Sequence, residues 1–149
     1  YEPFMNGAKI PIVWGKTYEI LVHSRAAIVS SGTATLETAI LNVPQVVVYQ
    51  MTPNWLFMFL KKFFLKTRFV SLVNIILGRE AVVELIQGDF TLKKVVHEME
   101  RIVRNSENEK RMLNDYKDMM AKLGEPGASK RAAGLMVKKL KQQIIPSVN

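Results

Sequence analysis

The stretch that most constrains this chain covers residues 26–49. Residues 26–29 form an apolar run long enough for a buried strand, and residues 45–49 form a second, rich in valine. Between them Ser31, Gly32 and Thr33 supply turn chemistry, and residues 35–42 read as one short helix stopped by Asn42 and Pro44. Strand, small-residue turn, helix and strand together make one parallel crossover unit. The fold class that follows is α/β. The turn lies at the carboxyl end of the first strand, where open α/β sheets bind ligands.

Glu37 falls in the first turn of that expected helix, where the helix dipole favours a carboxylate. A helix-start acid is the plain reading. A capping box would need Ser or Thr three residues earlier, and Ala34 stands there, so the helix itself does not take up the carboxylate. The second reading is a ligand group, because a carboxylate at the mouth of a sheet can accept hydrogen bonds from a diol such as a ribose. Gly32 and Thr33, with free N–H groups at the helix start, could hold a phosphate beside it. Spacing alone leaves both readings open.

Length and composition set the outer bounds. The 149 residues suffice for a single domain with a core. There is no cysteine, so neither a disulfide framework nor a thiolate metal site is available, which is compatible with the cytoplasm. No apolar run is long enough to span a bilayer and no signal-peptide pattern opens the chain. Tyr1 in place of Met, with a strand soon after it, reads as a piece of a longer protein. The net charge is +8, and residues 91–149 hold 13 Lys and Arg against 7 Asp and Glu, a net of +6. Such an excess raises nucleic acid, anionic lipid or phosphorylated substrates as partners. No aromatic-basic sheet pattern or zinc-finger spacing accompanies it, so solvated helix faces account for it and nucleic acid is discounted.

Along the rest of the chain, residues 10–14 read as a strand ended by Gly15, and residues 17–24 as a short helix with Tyr18, Leu21 and Val22 at helical spacing. His23 has no adjacent carboxylate or cysteine and the other histidine, His97, lies far along the chain; no paired carboxylates or His/Asp clusters suggest a metal. Residues 54–68 are unusual. Trp55, Phe59, Phe63 and Phe64 nearly circle a helix broken only by Lys61, Lys62 and Lys66, with no acid. One reading is a half-buried helix edged by lysine stems; the other is an interfacial helix dipped into a membrane, its lysines on lipid phosphates. Residues 69–72 read as a strand and residues 73–80 as a loop, where Asn74 can both donate and accept and Arg79 offers a fork for phosphate, or for Glu80 or Glu84. Beyond residue 90 the pattern is helical: Thr91 caps residues 92–103, Ser106 and Glu109 make a capping box, and a last helix covers residues 128–143.

The motifs SGTATLETA at residues 31–39 and VPQVVVY at residues 43–49 resemble the nucleotide-binding region of the lipid-A-disaccharide synthases. The resemblance continues through FVSLVNIILGRE at residues 69–80 and ELIQ at residues 84–87, and it covers nearly the whole chain. One departure is Val73, where the family usually has proline before the Asn. The resemblance implies a glycosyltransferase with two Rossmann-like domains. Residues 1–90 would be part of the UDP-sugar-binding domain, and residues 91–149 a helical segment packing on it and on an absent N-terminal domain or a second copy. It implies donor contacts from Ser31, Gly32, Thr33 and Glu37, and then from Asn74, Glu80, Arg79 and Gln87. No cofactor is implied, since the UDP-sugar is a substrate, and no catalytic residue falls within this stretch.

The reaction implied joins UDP-2,3-diacylglucosamine to 2,3-diacylglucosamine 1-phosphate, giving lipid A disaccharide 1-phosphate and UDP. Acylated substrates favour the membrane reading of residues 54–68 and a place on the cytoplasmic face of the inner membrane, with a homodimer possible. The chain alone is expected to carry no transferase activity. Other UDP-sugar enzymes of this architecture, an epimerase or a peptidoglycan glycosyltransferase, stay open as alternatives, as does a non-catalytic membrane-docking module.

Overall fold

Valine-rich β2 (Gln45–Tyr49) is the central strand, flanked by β1 (Ala27–Ser30) and β3 (Val83–Ile86) in a parallel sheet of order β1-β2-β3. The computed structural model describes residues 10–30, 32–50, 68–103, 106–125 and 127–144. Ala27 pairs with Gln45 and Ser30 with Val48; Val46 pairs with Val83 and Tyr49 with Ile86. All three carboxyl ends therefore lie together. With helices around it, this sheet is the α/β, Rossmann-like half-domain that the sequence implies.

The crossover from β1 to β2 passes through α2 (Thr33–Ile40), while α1 (Thr17–Val22) leads into β1. α2 starts two residues earlier than the expected Thr35. Gly32, its N-cap, has φ 137° and ψ −160°, a region that essentially only glycine enters. From there the chain turns directly into the helix, and Thr35 bonds back to the Gly32 carbonyl through both its N–H (3.2 Å) and its hydroxyl (2.8 Å). Glu37 consequently sits in the second turn, and the first turn contains no acidic residue. The helix-start reading of Glu37 loses its physical basis, because dipole effects fade beyond the first turn.

Two other local readings need correction. Residues 69–72 are not a strand: Ser71 caps α3 (Leu72–Leu77), so most of the supposed loop at residues 73–80 is helix. The Ser71 hydroxyl accepts the Asn74 N–H, and the Glu84 carboxylate takes the N–H groups of Val70 and Ser71, the donors a strand would have needed. Residues 10–14 are not a strand either, and Ile10, Ile12, Val13 and Trp14 are exposed.

The core gathers Val46, Val47, Val82 and Leu85 from the sheet region, Ala39 from α2, and Val73 and Leu77 from α3. α4 (Leu92–Val103) packs on β2 and β3, adding Val95 and Ile102. α5 (Glu107–Leu123) packs on α2, α3 and α4 and inserts Met112, Tyr116 and Met119, each contributing on the order of 1.5–3 kcal/mol by burial. The helices just beyond residue 90 thus share one core with the sheet. Caps follow the sequence: the Thr91 hydroxyl accepts from Lys94 N–H at 3.3 Å and the Ser106 hydroxyl from Glu109 N–H at 3.2 Å. α6 (Ala128–Ile144) differs, since residues 128–142 are all exposed, including Leu135, Met136, Val137 and Leu140.

Candidate functional site

The candidate site residues divide between two ends of the sheet. At the carboxyl end, Gly32 and Thr33 are exposed where β1 passes into α2. Gly32 offers no side-chain cap, and nothing lies within 4 Å of where its Cβ would stand. Its backbone angle requires glycine, and the space above it is open. The first N–H groups of any helix lack intrahelical partners, so the start of α2 presents donors and the positive end of the helix to this opening. Ser31 lies outside the described residues.

Glu37, half-buried on α2, faces Tyr18 at the start of α1. The charge of the Glu37 carboxylate, and then a hydrogen bond to it, push the Tyr18 phenol above its ordinary value. Tyr18 itself is 56% exposed, so this influence acts at the surface. Gln87 shares this end of the sheet, in a left-handed conformation (φ 50°) that opens a 3-10 turn (Gln87–Asp89) directly after β3. It is separated from the β1 turn by the width of β2, about 10 Å at ordinary strand spacing.

Asn74, Arg79 and Glu80 lie elsewhere. Residues 78–82 lead into the first residue of β3 and so occupy the amino end of the sheet. Asn74 is fully buried, and its amide capacity is filled within the chain. Its Nδ2 donates to the Val82 carbonyl and to Glu84 Oε1, both at 2.8 Å. Its Oδ1 accepts from Ala81 N–H at 2.8 Å and Val82 N–H at 3.0 Å. Glu84 also receives Val70 N–H (2.9 Å), Ser71 N–H (2.9 Å) and the Ser71 hydroxyl (2.7 Å). Ser71, Asn74 and Glu84 form a buckle that fixes the turn between α3 and β3.

The Arg79 guanidinium does not meet Glu80 or Glu84. Its Nη2 lies 2.6 Å from Asp115 and 2.6 Å from Asp118 on α5, and its Nε bonds Asp115 at 3.1 Å. These hydrogen bonds, that to Asp115 first, hold its pKa above the ordinary arginine value. Gly78, left-handed at φ 72°, closes α3, while Lys122 donates to the last carbonyls of that helix, Ile76 and Leu77. Glu80 is exposed beside this clamp. The Gly-Arg-Glu segment therefore ties α3 to α5 on the side away from the mouth.

Outside the ELIQ motif, sequence reasoning named Glu84 only as a partner for Arg79. Ser71, three residues before Asn74 and ahead of apolar residues at helical spacing, was the signal for α3 and its buckle. Among the described residues no group of three or more His, Cys, Asp or Glu comes together, and no helix is long and apolar enough to cross a membrane. Trp55, Phe59, Lys61, Lys62, Phe63, Phe64 and Lys66 lie outside the described residues.

Residues 6–139 match the family described as lipid-A-disaccharide synthetase. The chain is 36% identical over 135 residues to a protein named lipid-A-disaccharide synthase from Anaeromyxobacter dehalogenans, an alignment covering 89% of this chain and 35% of that one. It is 37% identical over 128 residues to the protein of the same name from Myxococcus xanthus, covering 86% and 33%. For the one from Gloeothece citriformis the identity is 39% over 129 residues, covering 85% and 33%. The chain spans about a third of the length of these curated relatives.

Proposed function

The chain belongs to the lipid-A-disaccharide synthase family, and from this we propose that it forms the donor-nucleotide part of a glycosyltransferase of lipid A biosynthesis. The observation that carries the proposal is the open space at Gly32, where the exposed start of α2 follows β1, with Glu37 one helical turn beyond Thr33. A diphosphate fits the positive helix end and its unpaired N–H groups, and a ribose diol fits the carboxylate. The epimerase and peptidoglycan-transferase alternatives give way to the family match.

The complete enzyme takes a UDP-linked diacylglucosamine as donor and a diacylglucosamine 1-phosphate as acceptor. The acceptor 6-hydroxyl oxygen attacks the anomeric carbon, the bond from that carbon to the diphosphate oxygen breaks, and the hydroxyl proton passes to a base outside this stretch. The configuration inverts and UDP leaves with the electron pair of the broken bond. In this reading helix-start N–H groups stabilise the charge that develops on the departing diphosphate, which is how preorganised donors lower a barrier. In this reading Asn74 and Arg79 act indirectly, by setting the packing of the sheet that carries the mouth, and Gln87 is the candidate nearest the mouth on the β3 side.

The exposed apolar residues of α6 support packing on the acceptor half of the enzyme or on a second copy. Residues 54–68 would seat the enzyme on the cytoplasmic face of the inner membrane, where acylated substrates lie. The test is calorimetric titration of UDP into the full-length protein, wild type beside Glu37→Ala. Saturable binding that weakens about tenfold or more in the variant supports the reading, and unchanged binding overturns the role of Glu37.

A further inference from the structure

We infer that Gln45 is a positioning residue for the proposed diphosphate site, its buried amide setting where the first turn of α2 stands. The inference rests on the donor-site reading above and deepens it. Gln45 opens β2 and is fully buried. Its Nε2 donates to the Thr35 carbonyl in the first turn of α2 at 2.9 Å and to the Tyr116 hydroxyl of α5 at 3.2 Å. The Tyr116 hydroxyl donates in turn to the Val43 carbonyl at 3.2 Å. The Thr35 carbonyl fixes which way the amide points, since the amide oxygen in that place would face another acceptor. Thr35 is itself fully buried and holds the Gly32 carbonyl through both its N–H and its hydroxyl. The amide thus reaches the glycine at the mouth in two steps, Gln45 to Thr35 and Thr35 to Gly32.

Two observations separate this role from ordinary packing. α2 has only eight residues, and of its buried residues Thr35, Thr38 and Ala39 only the last is apolar, so burial alone locks it weakly along the sheet. The Thr38 hydroxyl turns back to the Ala34 carbonyl of the same helix, and the far end is held separately by the Val43 N–H on the Thr38 carbonyl. The second observation is Gln45 Oε1, which is buried and has no hydrogen-bond partner among the described residues. A buried acceptor left unpaired lowers stability, and an apolar side chain of similar length avoids that loss. Methionine at this position would leave the Tyr116 proton on the Val43 carbonyl and the Thr35 carbonyl its intrahelical bond, stranding no donor. What the amide supplies is direction, and groups that bind a charged ligand work only within about 0.5 Å of their productive positions.

The experiment titrates UDP and uridine, which lacks the phosphates, into the full-length protein, wild type beside Gln45→Met and Gln45→Leu, and records each denaturant midpoint. Two apolar replacements of different shape separate the missing amide from misfit. Expected in both is a loss of about 3–10-fold in UDP affinity with uridine changed by less than about twofold. The midpoint of Gln45→Met should equal or exceed that of wild type, a sign that a purely structural role does not give. If wild type prefers UDP to uridine and both variants keep UDP affinity, the inference falls and the diphosphate reading stands. Equal weakening of both ligands means a general disturbance and overturns it, as does a loss confined to one variant. Failure of both variants to fold makes the amide a packing group and also overturns it. Uridine binding as tightly as UDP in wild type overturns the inference together with the reading on which it rests.

Discussion

At the amino end of the sheet the Asn74 amide makes four hydrogen bonds inside the chain, whereas at the carboxyl end Gly32 and Thr33 stand exposed over the uncapped start of α2. Both ends carry residues from the motifs that resemble the family. At the amino end, polar groups are buried and answered by Glu84, Ser71 and backbone groups, so removing one leaves its partners stranded. At the carboxyl end Gly32 and Thr33 are exposed, with open space where a Gly32 side chain would stand, and the half-buried Glu37 carboxylate raises the pKa of the exposed Tyr18 phenol. The difference separates two roles that a motif does not distinguish. Saturated polar residues hold the scaffold, and the exposed ones at the carboxyl end are those proposed to meet the nucleotide.

The sharpest way to break this comparison is Asn74→Ala. The substitution leaves the N–H groups of Ala81 and Val82, the Val82 carbonyl and one Glu84 contact without their partner, all in or near the core. Stability should fall by about 3 kcal/mol or more, read as a lower denaturant midpoint. UDP affinity of the protein that remains folded should be unchanged. A variant with normal stability but weakened UDP binding would reverse the assignment and put Asn74 at the ligand.

Glu37→Ala should show the opposite pattern. Its side chain is half-buried and adds no apolar group to the core, so stability should move by no more than about 0.5 kcal/mol. UDP affinity should fall about tenfold, equivalent to about 1.4 kcal/mol. Side-by-side melting and titration of the two variants checks both halves. Coupled losses of stability and affinity in each would show that the two ends of the sheet are not separable.

How much of this was legible beforehand follows the same division. β2 was readable to the residue, because an uninterrupted valine run bounded by Pro44 suits a strand buried on both faces. The capped helices α4 and α5 were readable because Thr91 and Ser106 announce their starts. The start of α2 was misplaced because Gly32 can enter a backbone region closed to other residues, a freedom that no periodicity reveals. The short β3 was missed because Glu84 interrupts its apolar residues, whereas the equally short β1 follows an unbroken apolar run. At the site, residue types gave Gly32, Thr33 and Glu37, all within one local unit. The satisfaction of Asn74 and the clamp of Arg79 on Asp115 and Asp118 depend on contacts between separate elements, which spacing along the chain does not encode.

Tyr116 tests the saturated end by pH. Its hydroxyl donates to the Val43 carbonyl at 3.2 Å and receives Gln45 Nε2 at 3.2 Å, beside the first residue of β2. Burial pushes its pKa well above the ordinary tyrosine value, against the smaller opposing pull of the Gln45 hydrogen bond. The folded state therefore keeps its proton at a pH where the unfolded chain, with a pKa of about 10, has begun to lose it. Below that pH the contribution to stability is constant. Above it the unfolded state binds fewer protons, so stability falls by up to about 1.4 kcal/mol per pH unit until the folded pKa is reached. Tyr116→Phe should lower stability by about 1 kcal/mol at neutral pH and remove this alkaline component. Denaturation at pH 8 to 11, wild type beside variant, measures the difference, and parallel curves would refute the burial argument.

The smallest effect, and the finest test, is expected at Arg79. Its guanidinium reaches Asp115 through two nitrogens and Asp118 through one, a fork that one ammonium cannot reproduce. Because the Arg79 side chain is 48% exposed, solvent screens both pairs and Arg79→Lys should lower the denaturant midpoint only slightly. The loss should shrink further as salt is raised, since partly exposed pairs are screened. If the clamp is structural, UDP affinity at fixed ionic strength is unchanged in the lysine variant. A phosphate contact would behave differently: UDP binding would weaken in Arg79→Lys while the denaturant midpoint stayed where it was. That result would move Arg79 to the ligand side and leave Asp115 and Asp118 holding a residue meant for the substrate.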